Sequence, residues 1–390
     1  MVGAIDGTPF GEAENARYSE KDNSSWEGAI VAMVTLKQLL DDVVVKGASD
    51  LHIGVEMPPA MRISGALDSV PGLDPMTFEQ TKAAFLEVIS EAQYDRFASV
   101  GELDFSFAHT TQDGKVVRFR GNCYREMNGM SAAFRLIPMN IPSLEDLNVP
   151  PKLRDISKSR RGLFLVTGPT GHGKSTTLAA VINEINITRH EHIITIEDPI
   201  EFVHKPKLCV IHQREVGSHT ASFAEALKRA LREDPDVLLI GELRDLETIR
   251  AAVTAAETGH FVLGTLHTQD APQSIDRIID VFPPEQQQQI RVQLASGLVG
   301  ICSQQLLPKN GGGRACATEL LVANSAVRNN IREGKTNQIR TLIQTGKEQG
   351  MHTMEQCLAD FVRLGTVTKE TAMTFAYQPA ELERSLVSGL

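Results

Sequence analysis

With 390 residues, 42% of them hydrophobic and 23% charged, the chain has an ordinary globular composition and the length for about two or three domains. Its net charge of −10 argues against general affinity for nucleic acid or an anionic membrane surface. No apolar run reaches the roughly 20 residues that span a bilayer, and the N-terminus has no basic stretch leading into an apolar core, so the expectation is a cytoplasmic protein without direct membrane insertion.

Residues 1–29 are acidic, rich in small polar residues and without hydrophobic periodicity, which predicts a disordered acidic tail. From 30 to 45 apolar residues return at helical spacing: Val34, Leu36, Leu39, Leu40 and Val43. Short strands are expected over 50–53 and 60–63, then a helix over 77–97 with Phe78, Ala84, Phe85, Val88 and Ile89 on one side. Leu103, Phe105 and Phe107 alternate with polar residues, as do Val117 and Phe119 with Arg118 and Arg120. Asp113-Gly114 and Asn128-Gly129 mark the turns of antiparallel hairpins, and 132–137 supplies a further strand. This predicts a small α+β domain over 30–138. Pro142, Pro150 and Pro151 then punctuate a linker over 139–155.

The second unit, 156–390, has a different pattern. Apolar runs at 163–166, 193–196, 237–240 and 261–266 alternate with amphipathic helices at 175–186, 223–232 and 246–258. That alternation predicts a parallel-rich sheet covered by helices on both faces. Gly259 occupies the position of a helix-terminating glycine, and everything from about Pro283 is expected to be helical.

The first of those runs leads into Gly168-Pro169-Thr170-Gly171-His172-Gly173-Lys174-Ser175, followed by Thr176. This is a Walker A pattern between a buried strand and a helix, the context in which glycines let backbone amides close around phosphates. Lys174 is placed to reach the β- and γ-phosphates, and the Ser175 hydroxyl to bind Mg²⁺. The other three apolar strands end in Glu197-Asp198-Pro199, Gly241-Glu242 and His267, on the edge where open α/β sheets bind ligands. Hydrolysis of a γ-phosphate needs an oriented water, a metal and neutralised charge, so Glu197 and Glu242 divide the first two tasks. His267 offers a hydrogen bond to the phosphate. Arg118, Arg120 and Arg135 of the first domain are candidate cations, with ordinary surface ion pairs as the alternative reading. No Asn-Lys-x-Asp guanine-reading motif is present, which favours ATP as the nucleotide. Five dispersed cysteines, Cys123, Cys209, Cys302, Cys316 and Cys357, form no Cys-x-x-Cys pair and predict reduced, buried thiols rather than a zinc site.

At these residues the sequence resembles the PilT family of pilus retraction ATPases, within the secretion ATPases, from about Val34 to Met373. Thr195 to Glu201 is similar to the family's Asp box, Ile240 to Asp245 to its atypical Walker B motif, and Thr258 to Thr268 to its His box. The strands ending in Ala133 to Pro138 resemble its PAS-like domain. The resemblance implies a RecA-like P-loop ATPase domain preceded by a small PAS-like α+β domain. It makes Glu197 the catalytic glutamate, Glu242 the Walker B glutamate near Mg²⁺ and His267 the γ-phosphate sensor, with the first-domain arginines closing over the phosphate. It also implies a homohexamer at the inner membrane, pushing on a pilus platform protein and driving twitching through retraction. Ala326 to Lys335 resembles the family's C-terminal retraction motif, with Asn330 where leucine is usual. The alternatives are an accessory PilU-like retraction ATPase or another type II/type IV secretion ATPase and, from another class, a nucleotide-gated structural ring that does not hydrolyse ATP.

Overall fold

The computed structural model describes residues 34–63, 65–138 and 140–388, and the expected acidic tail over 1–29 lies outside them. The first sheet is built from β1 (Asp50–Gly54), β2 (Met57–Ile63), β3 (Ala66–Ser69), β4 (Glu102–Thr110), β5 (Val116–Glu126) and β6 (Gly129–Ile137). Its order is β3-β2-β1-β6-β5-β4, antiparallel throughout. Alternation decides its faces: Val117, Phe119 and Cys123 of β5 are buried, while Arg118 and Arg120 point the other way. Phe105, Phe119 and Phe134 meet the apolar side of the helix Leu36–Lys46 in one core with Phe85 and Phe97.

Two local features differ from expectation here. The first helix begins at Leu36, because Thr35 caps it in a reciprocal box with Gln38. The single helix expected over 77–97 is two, Phe78–Leu86 and Glu91–Val100. Ser90 starts a second capping box: its hydroxyl accepts the Gln93 N–H, and the Gln93 side chain accepts the Ser90 N–H.

The second sheet contains β7 (Gly162–Thr167), β8 (His192–Glu197), β9 (Val210–Glu215), β10 (Val237–Ile240), β11 (Phe261–Leu266), β12 (Leu298–Pro308) and β13 (Arg314–Val322). The order is β13-β12-β7-β11-β10-β8-β9, parallel except for β13. Burial on both faces explains the unbroken apolar runs: Leu163 and Leu165 belong to one core, Phe164 and Val166 to the other. The helix Lys174–Thr188 covers the second of these cores with Leu178, Val181, Ile182 and Ile185.

The portion after Pro283 is not all helical. The helix Pro284–Gly297 is followed by the hairpin β12–β13, in which most side chains are buried on both faces. A strand buried on both faces has no period-2 alternation, so its apolar run reads equally well as a buried helix. The turn at 309–313, closed by Lys309 N–H donating to the Gly313 carbonyl at 3.1 Å, was the missed signal. Strand β9 went unread for the opposite reason, since Val-Ile-His-Gln-Arg-Glu at a sheet edge is too polar to stand out. Among the described residues no helix is long and apolar enough to cross a membrane. Four of the five cysteines are buried and all are free.

The C-terminal helices Ile339–Thr345, Met354–Arg363 and Pro379–Ser388 are tied together by Arg340. Its Nη2 lies 2.7 Å from Glu355 and 2.8 Å from Glu381, and the Glu355 side chain is 0% exposed. Removing the cation leaves a buried carboxylate without its counter-charge. Arg340→Ala should therefore lower the unfolding free energy by about 3–5 kcal/mol, read from denaturant unfolding of both proteins; an unchanged midpoint would show that the helices do not depend on the pair.

Candidate active site

Parallel pairing brings the C-terminal ends of β7, β11, β10 and β8 to one edge of the sheet. Gly168 N–H donates to Leu266, Leu243 N–H to Thr265, and Gly241 N–H to Ile196, so neighbouring strand ends are bonded up to the point where the loops depart. The phosphate loop starts at Gly168, whose φ of +137° suits glycine. A Cβ there would stand 2.3 Å from the Gln304 carbonyl oxygen of β12, so the loop packs where only glycine fits. Gly171 and Gly173 also have positive φ, at +79° and +82°, and the helix begins at Lys174 with its first amides open toward the loop.

Lys174 is buried at 8% exposure, and its Nζ donates to the carbonyls of Gly168 at 2.8 Å and Pro169 at 3.0 Å. Burial lowers its pKa, opposed by Glu242 and Glu201. The ammonium thus sits folded onto its own loop, where phosphate oxygens can replace carbonyls as partners. Ser175 and Thr176 follow on the first turn, both half-buried.

The two glutamates occupy opposite environments. Glu197 is 8% exposed, and burial pushes its pKa up to about 7 despite hydrogen bonds from Thr195 Oγ1 at 2.6 Å and Gln213 Nε2 at 3.2 Å. For Glu242 burial acts in the same direction, but the Arg244 guanidinium and His267 outweigh it and hold the pKa below the usual value. Glu242 Oε1 contacts Arg244 and lies 3.2 Å from His267 Nε2. The other ring nitrogen of His267, Nδ1, is 3.3 Å from Thr170 Oγ1, so the imidazole bridges the phosphate loop and Glu242.

Sequence reasoning named Lys174, Glu197, Glu242 and His267, and the fold gathers them at one edge. The three arginines are differently engaged. Arg118 Nη2 donates to Ser106 at 2.8 Å, Arg120 lies 3.8 Å from Asp104, and Arg135 Nε donates to Asp50 at 2.7 Å. Arg120 and Arg135 are direct cross-strand neighbours, with side chains 44% and 68% exposed. Several supporting residues went unnamed. Gln213 reaches Glu197 from the unread strand β9. Gln304 Nε2 donates to the His172 carbonyl at 2.6 Å, and Leu306 N–H donates to His172 Nδ1 at 3.0 Å, both from the unread strand β12. Only tertiary pairing brings these strands to the site. Thr195, two residues before Glu197 on the same face of β8, was legible by alternation.

Over residues 25–374 the chain matches the family described as "Type II/IV secretion system protein", and it belongs to that family. It is 45% identical over 344 residues to the "Type IV pilus retractation ATPase PilT" of Pseudomonas aeruginosa, covering 88% of this chain and 98% of that protein. A "Twitching motility protein" of Neisseria gonorrhoeae is 49% identical over 315 residues, 80% of this chain and 83% of that protein. The crystal structure of the pilus retraction motor PilT with bound ADP superposes with a TM-score of 0.84 at 46% identity, covering 90% of this chain and 99% of that one. The α/β fold described above, a small first domain ahead of a parallel-rich P-loop sheet, is the fold of that structure.

The pKa of Glu197 has consequences in both directions. The folded value of about 7 lies above the unfolded one, so the native state binds the extra proton, and the associated stability is lost as pH rises from about 4.5 to about 7. A carboxylate must be ionised to take a proton from water, so, with Glu197 in the role its sequence position suggests, kcat/KM for ATP should rise with pH through an apparent pKa near 7. Rate profiles of the wild type and Glu197→Gln check this: the acid limb should vanish in the variant.

Proposed function

We propose that this ATPase works as a homohexameric motor that retracts type IV pili, hydrolysing ATP to drive twitching motility. The observation that carries the catalytic half is the convergence of a phosphate loop, two carboxylates of opposite pKa tendency and a bridging imidazole on one sheet edge. Kinship with a retraction ATPase over 98% of that protein's length supports the mechanical half.

In this reading Gly168, Pro169, Thr170, Gly171, His172, Gly173, Lys174, Ser175 and Thr176 hold the triphosphate. Lys174 exchanges its loop carbonyls for β- and γ-phosphate oxygens. Glu197, held by Thr195 and Gln213, orients the attacking water and takes its proton. His267 gives up one of its bridging contacts to donate a ring N–H to the γ-phosphate, and returns to Glu242 and Thr170 when the phosphate leaves. A hydroxyl and a carboxylate are hard oxygen donors of the kind Mg²⁺ takes, which fits Ser175 and Glu242 as the residues that would hold it, directly or through water. Bound there, the ion would neutralise charge on the phosphate oxygens. Arg120 and Arg135, more exposed and adjacent, are the first-domain cations that would leave Asp104 and Asp50 to close over the nucleotide, while Arg118 stays with Ser106. The 30–138 unit then acts as a mobile partner of the 156–390 unit, and the ring pushes on the pilus platform protein from the cytoplasmic side of the inner membrane.

Lys174→Ala should weaken ATP binding, whereas Glu197→Gln should bind normally and release phosphate at least about a hundredfold more slowly. Near-normal turnover by Glu197→Gln would move the catalytic role to Glu242, and wild-type protein that binds ATP without releasing phosphate would favour the structural ring. Deletion in the native host separates direction of work: surplus pili with lost motility mark a retraction motor, and absent pili an extension motor.

The retraction-like motif forms the helix Ser325–Arg332, which buries Val327 and Ile331 and leaves Asn330 half-buried between them. A polar side chain on that apolar stripe loosens the contact through which movement is transmitted. Asn330→Leu should leave ATP turnover within about twofold, as a change remote from the phosphates, and raise retraction frequency per ATP consumed. Lost motility would instead show that the amide itself contacts a partner.

A further inference from the structure

Glu215 ends β9 beside Glu197, its register partner on β8, and its side chain is only 2% exposed. Three donors converge on its carboxylate from three segments. Ile200 N–H, just beyond the Glu197 turn, donates to Oε2 at 3.1 Å. Ser218 Oγ donates to Oε1 at 2.9 Å from the loop after β9. The third donor, Ser106 Oγ at 3.1 Å, comes from β4 in the other sheet. Ser106 has a single hydroxyl proton, which goes to Glu215, and its oxygen accepts from Arg118 Nη2 at 2.8 Å. The cation behind the hydroxyl polarises it toward the carboxylate. The same strand end holds Glu197 twice more, through Val216 N–H donating to the Glu197 carbonyl at 2.9 Å and through Gln213 Nε2.

We propose that Arg118, Ser106 and Glu215 form a latch between the two domains, with Glu215 as the positioning residue that transmits first-domain orientation to the loop carrying Glu197. When the first domain is seated, Ser106 fills the third acceptor direction of Glu215, and the carboxylate holds Ile200 and the 198–200 turn in place. When it swings away, Glu215 loses that donor inside a buried site and the turn loosens. Closure of one domain on the other thereby sets the position of the water-orienting group through Glu215, apart from any contact that Arg120 and Arg135 make with nucleotide. This assigns Arg118 a task distinct from that of Arg120 and Arg135.

The inference rests on Glu197 as the water-orienting residue, so its test includes a measurement that does not. In Ser106→Ala full-length protein, hydrogen exchange at the Ile200 amide should accelerate about tenfold, the effect of weakening one hydrogen bond to a carboxylate network. Phosphate release should fall about tenfold in kcat with KM for ATP within about twofold, because positioning rather than binding is lost. Ser106→Thr keeps the hydroxyl and should restore both. Unchanged exchange at Ile200 would overturn the latch whatever the turnover. Faster exchange with unchanged kcat would overturn its coupling to catalysis, as would a loss that threonine does not rescue. Full activity of Glu197→Gln would sink the catalytic assignment alone, and exchange at Ile200 would still decide whether the latch exists.

Discussion

The parallel register of the second sheet is the constraint on which the rest of the molecule depends. Parallel strands all finish on the same side, so the loops that follow β7, β8, β10 and β11 have no choice but to meet. The bonds between strand ends, from Gly168 to Leu266 and from Gly241 to Ile196, carry that order right up to the phosphate loop and the polar strand ends. Displacing one strand by a residue would turn its terminal side chain to the other face and disperse the constellation.

Within that frame, environment rather than residue type separates the two glutamates. Glu197 is buried with neutral donors, and desolvation raises its pKa to about 7. Glu242 is more open and sits against Arg244 and His267, which keep it below the usual carboxylate range. Two carboxylates pushed apart in this way can hold different protonation states at one pH, which is the condition for dividing base and charge-holding tasks between them. His267 links the second of these to Thr170, so one imidazole joins Glu242 to the phosphate loop.

The strands that carry no reacting group do most of the positioning. β12 packs so closely on Gly168 that no side chain is admitted there, and it grips the phosphate loop again at His172 through Gln304 and Leu306. On the far side β9 supplies Gln213 and Glu215, holding Glu197 and the turn that follows it. Both flank the strands of the site, one bonded to β7 and the other to β8; β12 also meets the C-terminal helices through Gln305 on Phe375, and β9 meets the first domain through Glu215 and Ser106.

The sequence by itself determined the phosphate loop, the three polar strand ends, the parallel core around them and the alternating faces of β4 and β5, because each is written in local spacing. Gly168 to Ser175 is a contiguous pattern, and Glu197, Glu242 and His267 each follow directly on an apolar run. Tertiary structure alone decided what surrounds these groups. The β12–β13 hairpin was unreadable because strands buried on both faces lose their alternation, and β9 because an edge strand need not be apolar. The partners of the arginines, and the meeting of Ser106 with Glu215, join residues as far as 109 positions apart in the chain. No local period encodes such a contact; it exists only once two sheets have folded and docked.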